Sequence, residues 1–407
     1  MKLINRLLGH PLLRVLSEGK TILLLGPRQS GKTHLLDLYL STDLSYDLLD
    51  ASIRLNFEQN PDSLIEDIKY CRSLKRGYAP VLVRIDELYK VPALLKQIQY
   101  AIVHKLAIFI LCTSSLRKLS IPSTILELRM EALSLDELAD EGVELQDLLL
   151  YGSLPSVIAQ SDKALSETWL KEYIESYLMD IRAESLIRNT VHFARFLKHA
   201  AQRSGEIANI SLLSEEVGIA RPTVNEYYQI CEDTLMVERV DPITYTHLNR
   251  RLSKTPKYLL FDMGVRRVAA SEAAFIPEKY YNDLFKQWIG LELLKLLRAI
   301  APVAKLYYWK DHNGPEVDYV IEYQGYHIPI EVQYKDKPTL SDAKHLQVFQ
   351  NEYDCMPWAL VICRVEPSIQ LNESTLAIHW CELSVTLRKL MPSMHPVSSV
   401  IPAKTGI

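Results

Sequence analysis

The residues with the plainest chemical purpose stand near the amino terminus, in "TILLLGPRQSGKTHLL". This segment fits GxxxxGK[ST] after an apolar strand-like run and before a helical one, the context that the pattern requires. Gly26 and Gly31 let the backbone curl, so the loop of Gly26, Pro27, Arg28, Gln29, Ser30, Gly31, Lys32 and Thr33, with His34 following, can turn N–H groups toward phosphate oxygens. Lys32 brings positive charge to the β- and γ-phosphates, and the Thr33 hydroxyl can ligate Mg²⁺. A nucleoside triphosphate site also needs an acid for the metal and one for water. "PVLVRIDELYK" offers Asp86 for Mg²⁺, through water, and Glu87 to orient or deprotonate the attacking water. "AIFILCTSS" ends in Thr113, Ser114 and Ser115, of which Ser114 is taken as a γ-phosphate or water contact. The bland alternatives are a chance glycine turn, two solvated acids and ordinary strand ends.

A second constellation lies in "EVDYVIEYQGYHIPIEVQY", residues 316 to 334. Its alternation predicts a hairpin turning at Gln324-Gly325, with Asp318 opposite Glu331 and Glu316 opposite Gln333. Opposed side chains have Cβ atoms about 5 Å apart, and like charges there repel. Mg²⁺ or Mn²⁺, which take hard oxygen ligands, would relieve that repulsion. The competing reading is an amphipathic hairpin with a wet polar face.

The elements that must position these groups follow from the patterning. Residues 1–135 alternate strand-like runs ("TILLL", "YDLLD", "VLVRID", "AIFILC") with helical patterns, which predicts a parallel α/β sheet covered on both faces. Residues 136–195 read as helices, a lid or linker. Residues 196–270 contain "ISLLSEEVGIARPTVNEYYQICEDTLMVERVDPIT", a helix, a turn at Gly218, a second helix beginning near Pro222, then a strand-like wing. A last domain is set at 271–390, with strands returning from about 305, and 391–407 is a Pro- and Ser-rich tail. On the second helix Arg221, Thr223, Asn225 and Tyr228 are expected to be exposed for nucleic-acid contact, with Arg250, Arg251, Lys254 and Lys257 as phosphate partners. Protein contact is the alternative for that element, and structural packing for Lys257.

Length and composition bound these readings. A chain of 407 residues implies two or three domains, and 48% hydrophobic with 24% charged residues is ordinary for a globular protein. The net charge of −4 means that nucleic-acid contact would rest on local patches. Six scattered cysteines without CxxC spacing suggest reduced thiols rather than zinc. With no apolar run near the ~18 residues of a membrane span, the expected location is cytoplasmic, with no membrane partner.

In order along the chain, "GPRQSGKT", "IDELYKVPAL", "CTSS", "LSLDEL", "YGSLP" and "KTPKYLLFDMGV" resemble a bacterial and archaeal family of AAA-type P-loop ATPases. Those proteins carry a winged-helix region and a C-terminal domain similar to PD-(D/E)XK nucleases, which are restriction-endonuclease-like in fold. The resemblance implies ATP and Mg²⁺ as cofactors, with Mn²⁺ admitted at the nuclease-like site. It also implies nucleic acid as a partner, DNA ahead of RNA, and admits a homo-oligomer. It assigns Asp318 and Glu331 as catalytic and metal-binding acids and Glu292 as the helix acid of the metal set. Gln333 falls at the position of the catalytic lysine. Two departures stand out. "PSTILELRMEALSL" lacks the Gly-Arg expected before "LSL", leaving Arg129 and Arg117 as substitutes, and Met179-Asp180-Ile181 replaces Arg-Asp-Ile.

Three functions follow. The first is an ATPase that hydrolyses ATP and couples it to nucleic-acid binding or metal-dependent cleavage. The second is an ATP-dependent binding switch with an inactive nuclease-like domain, favoured by Gln333, an amide without the lysine's charge. The third, a small-molecule kinase, leaves the appended domains without purpose.

Overall fold

The computed structural model describes residues 4–75, 80–117, 119–184, 186–246, 251–312 and 314–391. The expected tail from 392 onward and Arg250 lie outside these. The described chain divides into two compact units: residues 4–133 with 233–235, and residues 134–232 with 236–391.

The first unit is built on a five-stranded parallel sheet of β1 (Ile22–Leu25), β2 (Leu44–Asp47), β3 (Val81–Asp86), β4 (Ala107–Thr113) and β5 (Leu126–Arg129). Its order is β2-β3-β4-β1-β5. The four residues of β1 are fully buried, because helices cover both faces of a parallel sheet and every side chain must then be apolar. Val81, Val83 and Ile85 of β3 pack with Phe57, Ile68, Leu94 and Ile98 on one face. Ile22, Leu24 and Cys112 pack with Leu35 and Leu36 of the helix Lys32–Tyr39 on the other. Each such leucine or isoleucine contributes about 1.5–3 kcal/mol by leaving water. The strands are parallel, so the ends of β1, β3 and β4 all emerge along one edge. That edge carries the loop 26–31, Asp86 with Glu87, and Ser114.

The second unit begins as helices and ends as a mixed sheet. The helix Ile210–Val217 stops at Gly218, which adopts the left-handed conformation (φ 77°) that helix ends favour, and the helix Arg221–Asp233 follows. An antiparallel hairpin comes next: β6 (Val237–Pro242) with β7 (Lys257–Leu260). Then come β8 (Lys305–Lys310), β9 (Glu316–Tyr323), β10 (Tyr326–Val332), β11 (Ala359–Cys363), β12 (Ile369–Asn372) and β13 (Thr375–His379). The sheet order is β12-β13-β11-β10-β9-β8-β6-β7, so the β6–β7 pair and the later strands share one eight-stranded ladder.

The β9–β10 hairpin has the expected register, pairing Tyr323 with Tyr326 through Tyr319 with Ile330. Continuing it sets Asp318 opposite Glu331. Gln324 (φ 53°) and Gly325 (φ 84°) both take positive φ, as a two-residue hairpin turn demands. The wet polar face is not found. Asp318, His327 and Glu331 are at most 8% exposed, because the helices Tyr281–Ile300 and Lys344–Gln350 pack against these strands.

Among the second helix's expected contacts, Arg221 and Asn225 are exposed and Thr223 is half-buried. Tyr228 is a correction: it is buried and stacks on Tyr258 with ring centroids 3.9 Å apart. Its face of the helix, with Val224 and Cys231, is the apolar one that must pack. Arg251 and Lys254 are exposed. Lys257 is buried against the Tyr308 ring and bonds Glu316, so it packs structurally.

Among the described residues no helix is long and apolar enough to cross a membrane. All six cysteines are free thiols.

Candidate functional sites

The loop between β1 and the helix Lys32–Tyr39 has the shape that phosphate binding needs. A Cβ at Gly26 would sit 2.2 Å from the Met130 carbonyl oxygen, so only glycine fits there. Gln29 (φ 58°) and Gly31 (φ 95°) turn left-handed and coil the chain into the helix. The first N–H groups of that helix have no intrahelical acceptor and carry the positive end of its dipole. Lys32 is buried, and its Nζ donates to the carbonyls of Gly26 (2.7 Å) and Pro27 (2.9 Å) across the mouth of the loop. Burial lowers its pKa, and Glu87 opposes that effect. Ser30 is buried, with Oγ lacking a hydrogen-bond partner. Arg28 donates to the Tyr89 hydroxyl at 2.9 Å, and Thr33 and His34 are exposed at the helix start.

Glu87 lies just beyond β3 in a left-handed conformation (φ 54°), a strained placement for a side chain with a Cβ. Its Oε2 accepts from both the backbone N–H (2.9 Å) and the hydroxyl (2.8 Å) of Ser114. The end of β4 thus aims the acid that β3 delivers. Asp86 is gripped instead by Arg84, whose Nε lies 3.1 Å from each carboxylate oxygen, with a terminal nitrogen at 2.6 Å from Oδ2. Arg84 was missed in the sequence; its signal was a cation inside the otherwise apolar "VLVRID". Of the arginines proposed to replace the absent Gly-Arg, Arg129 pairs with Glu131 at 2.9 Å and Arg117 with Asp233 at 3.8 Å.

These residues fit a nucleoside triphosphate with Mg²⁺. The glycine-only cradle, the helix start and Lys32 suit phosphate, while Thr33 and Asp86 offer the hard oxygens that would hold the metal.

The hairpin site is different. The Asp318 carboxylate accepts from the Val332 N–H (2.9 Å) and from Lys286 Nζ (2.8 Å), and the same ammonium lies 3.9 Å from Glu331 Oε1. Gln333 donates to Glu331 Oε1 at 3.1 Å, while Glu331 Oε2 is buried with no hydrogen-bond partner. Burial and the neighbouring Asp318 push Glu331 up to about 8, so the two carboxyl groups share a proton at neutral pH. Burial alone would lower Lys286, but Asp318 and Glu331 outweigh it and hold its pKa above the ordinary value. Next to this group, burial would raise Glu316, yet Lys257 and Lys310 keep it below the usual carboxylate range.

Glu292 is not part of this group. It points elsewhere in the helix Tyr281–Ile300, accepting from Lys295 Nζ (2.7 Å) and the Leu135 N–H (2.9 Å). Helical geometry explains the correction: six residues from Lys286 is far from a whole number of turns, so Glu292 and Lys286 leave the helix on different sides. The helix residue facing Asp318 and Glu331 is therefore a cation. A divalent ion would have to displace the Lys286 ammonium that already bridges the two carboxyl groups. Among the described residues no three His, Cys, Asp or Glu side chains are grouped to hold a metal.

The motifs "LSLDEL", "YGSLP" and "FDMGV" meet in a buried network that is architectural. Asp262 accepts from the N–H groups of Ser153, Gly264 and Val265, at 2.7 to 3.0 Å. Lys295 links the Ser153 hydroxyl to Glu292. A Cβ at Gly152 would lie 2.1 Å from Asp262 Oδ1, which explains the glycine.

Residues 18–139 match the family model described as AAA domain. The first unit is thus similar to an AAA domain, and its parallel sheet is consistent with a P-loop NTPase fold. Residues 143–274 and 281–383 match two domains of unknown function, DUF8612 and DUF4143. The uncharacterized proteins Rv2008c of Mycobacterium tuberculosis and Mb2031c of Mycobacterium bovis are each 25% identical over 336 residues, covering 81% of this chain and 73% of theirs. Two solved structures are far more remote. A signal-transduction ATPase (STAND protein) with a tetratricopeptide-repeat sensor from Pyrococcus horikoshii is 12% identical with a TM-score of 0.26, over 73% of this chain and 47% of that one. Protein VC1899 of Vibrio cholerae is 10% identical with a TM-score of 0.20, over 91% and 97%. At those scores neither informs the fold or activity of this chain.

Proposed function

We propose that this protein binds ATP with Mg²⁺, hydrolyses it, and uses the cycle to switch binding by its second unit. The observation that carries the reading is the loop that closes on Lys32 beside a Glu87 aimed by Ser114. Lys32 would exchange the Gly26 and Pro27 carbonyls for the β- and γ-phosphate oxygens. Glu87 would take a proton from water as its oxygen bonds the γ-phosphorus and the bond to the β-bridging oxygen breaks, leaving ADP and phosphate. Mg²⁺, held by Thr33 and Asp86, would shield phosphate charge.

The hairpin site supports the switch over a metal-dependent cutter. Its positive charge comes from Lys286, its third acid is absent, and Gln333 supplies only an amide. Nucleic acid remains our proposed partner, contacted through Arg221, Asn225, Arg251 and Lys254, which are exposed. Cleavage is the second reading, favoured by the buried carboxyl pair of Asp318 and Glu331. Incubation with labelled single- and double-stranded DNA and RNA, with and without ATP and Mn²⁺, separates the two. The switch predicts ATP turnover and ATP-dependent retention of intact nucleic acid. Product released by wild type but not by Asp318→Ala would establish cleavage, and absence of ATP binding would overturn both.

A further inference from the structure

Arg84 occupies an unusual place for a charge. It lies in β3 between neighbours on both sides, with its side chain only 10% exposed, on the strand side that also carries Asp86. Val83 and Ile85 fill the opposite side. A buried guanidinium requires acceptors, and it has two carboxylates. One terminal nitrogen and Nε hold Asp86, while the other terminal nitrogen lies 2.5 Å from Asp37 Oδ1. Asp37 stands four residues after Thr33, one helical turn along the same face of the phosphate-binding helix. Unlike Asp86, its side chain is 61% exposed and free to follow a moving partner. The five donors of a planar guanidinium can be shared between two acids or concentrated on one.

We propose that Arg84 is a positioning residue that sets the Mg²⁺ requirement of the nucleotide site, guarding Asp86 until metal arrives and then resting on Asp37. This builds on the ATP reading above. A guanidinium and a hydrated divalent cation both seek the Asp86 oxygens, and each repels the other. Binding of the metal half of the site thus demands that Arg84 yield Asp86, whereas binding of nucleotide without metal does not. Asp37 makes that exchange easier by keeping the guanidinium paired throughout.

The test uses the full chain and a fluorescent ATP analogue, titrated first in EDTA and then against Mg²⁺, with binding as the readout. Charge-assisted hydrogen bonds of this kind imply a shift of about 10- to 100-fold. Arg84→Met should lower the half-saturating Mg²⁺ concentration by that factor while nucleotide affinity in EDTA stays within about twofold. Arg84→Lys, which keeps the charge but cannot span both acids, should fall between the two. Asp37→Asn, a near-isosteric change at an exposed position, should raise the half-saturating Mg²⁺. In the Arg84→Met background the same Asp37→Asn change should have no further effect, which separates action through Arg84 from loss of a nearby negative charge. If the Mg²⁺ midpoint is unmoved by Asp37→Asn, or moves equally in both backgrounds, the inference is overturned while the ATP reading stands. If wild type binds no nucleotide in either condition, both fall.

Discussion

Replacing Glu331 with glutamine should remove a pH dependence of stability that runs opposite to that of most acids. Burial and Asp318 raise the Glu331 pKa from 4.5 to about 8. Below pH 4.5 this carboxyl is protonated in both folded and unfolded chains. Between 4.5 and 8 the native state keeps a proton that the unfolded state has released, so stability is lost as pH rises through this window. The slope is at most about 1.4 kcal/mol per pH unit, or on the order of 2–3 kcal/mol between pH 5.5 and 7.5. Glutamine has nearly the shape of the protonated acid and cannot ionise. The stability of wild type relative to Glu331→Gln should therefore fall by that amount across the window. Glu316 and Asp342, whose pKa values are lowered, lose their contribution only as pH falls through still lower values, outside this range. Urea unfolding followed by tryptophan fluorescence is the suitable assay, because Trp169, Trp288, Trp309, Trp358 and Trp380 all lie in the second unit. Equal pH slopes for the two proteins would refute the protonated-acid reading.

The remaining predictions concern both sites. Lys32→Met should weaken ATP binding about 10- to 100-fold, since it removes a charged partner of the phosphates; titration with a fluorescent analogue checks this, and undiminished affinity would count against the nucleotide site. Glu87→Gln should retain ATP but slow phosphate release by about 10²- to 10⁴-fold in a steady-state assay, the usual contribution of a positioned base. Lys286→Glu combined with Gln333→Lys should create a Mn²⁺ site detectable by calorimetry, because it exchanges the bridging cation for a third acid. Wild type should show no Mn²⁺ heat that Asp318→Ala abolishes, and finding such heat would contradict the donor-set argument.

The loop and acids of the proposed nucleotide site were legible because they are written locally. Gly26, Gly31, Lys32 and Thr33 are neighbours in sequence, and the acid pair Asp86-Glu87 ends an unmistakable buried strand. The hairpin was equally readable, since alternation and a Gln-Gly turn define a register. Side-chain partnership across elements was harder. Nothing near residue 318 announces Lys286, which arrives from a different helix, and spacing cannot reveal which turn of that helix faces the acids. Glu292 was the more familiar residue type, yet the wrong azimuth. Arg84 was visible as an oddity, but its two partners come from a strand end and a helix more than 45 residues away. Tyr228 was misread for a similar reason: on an amphipathic helix a tyrosine serves either side, and only the packing on Tyr258 decides.

The ladder joining β6 to β8 has a mechanical meaning. Backbone pairing links each strand to the next from β7 to β12, with register shifts between β8 and β9 and between β12 and β13, so displacing one end strains pairs across its width. A nucleotide-driven signal reaching this half of the molecule would carry the wing and the Asp318 hairpin together, as a plate rather than as two leaves. Any hinge belongs outside that plate, and a partner gripping the wing would feel every displacement of the carboxylate pair.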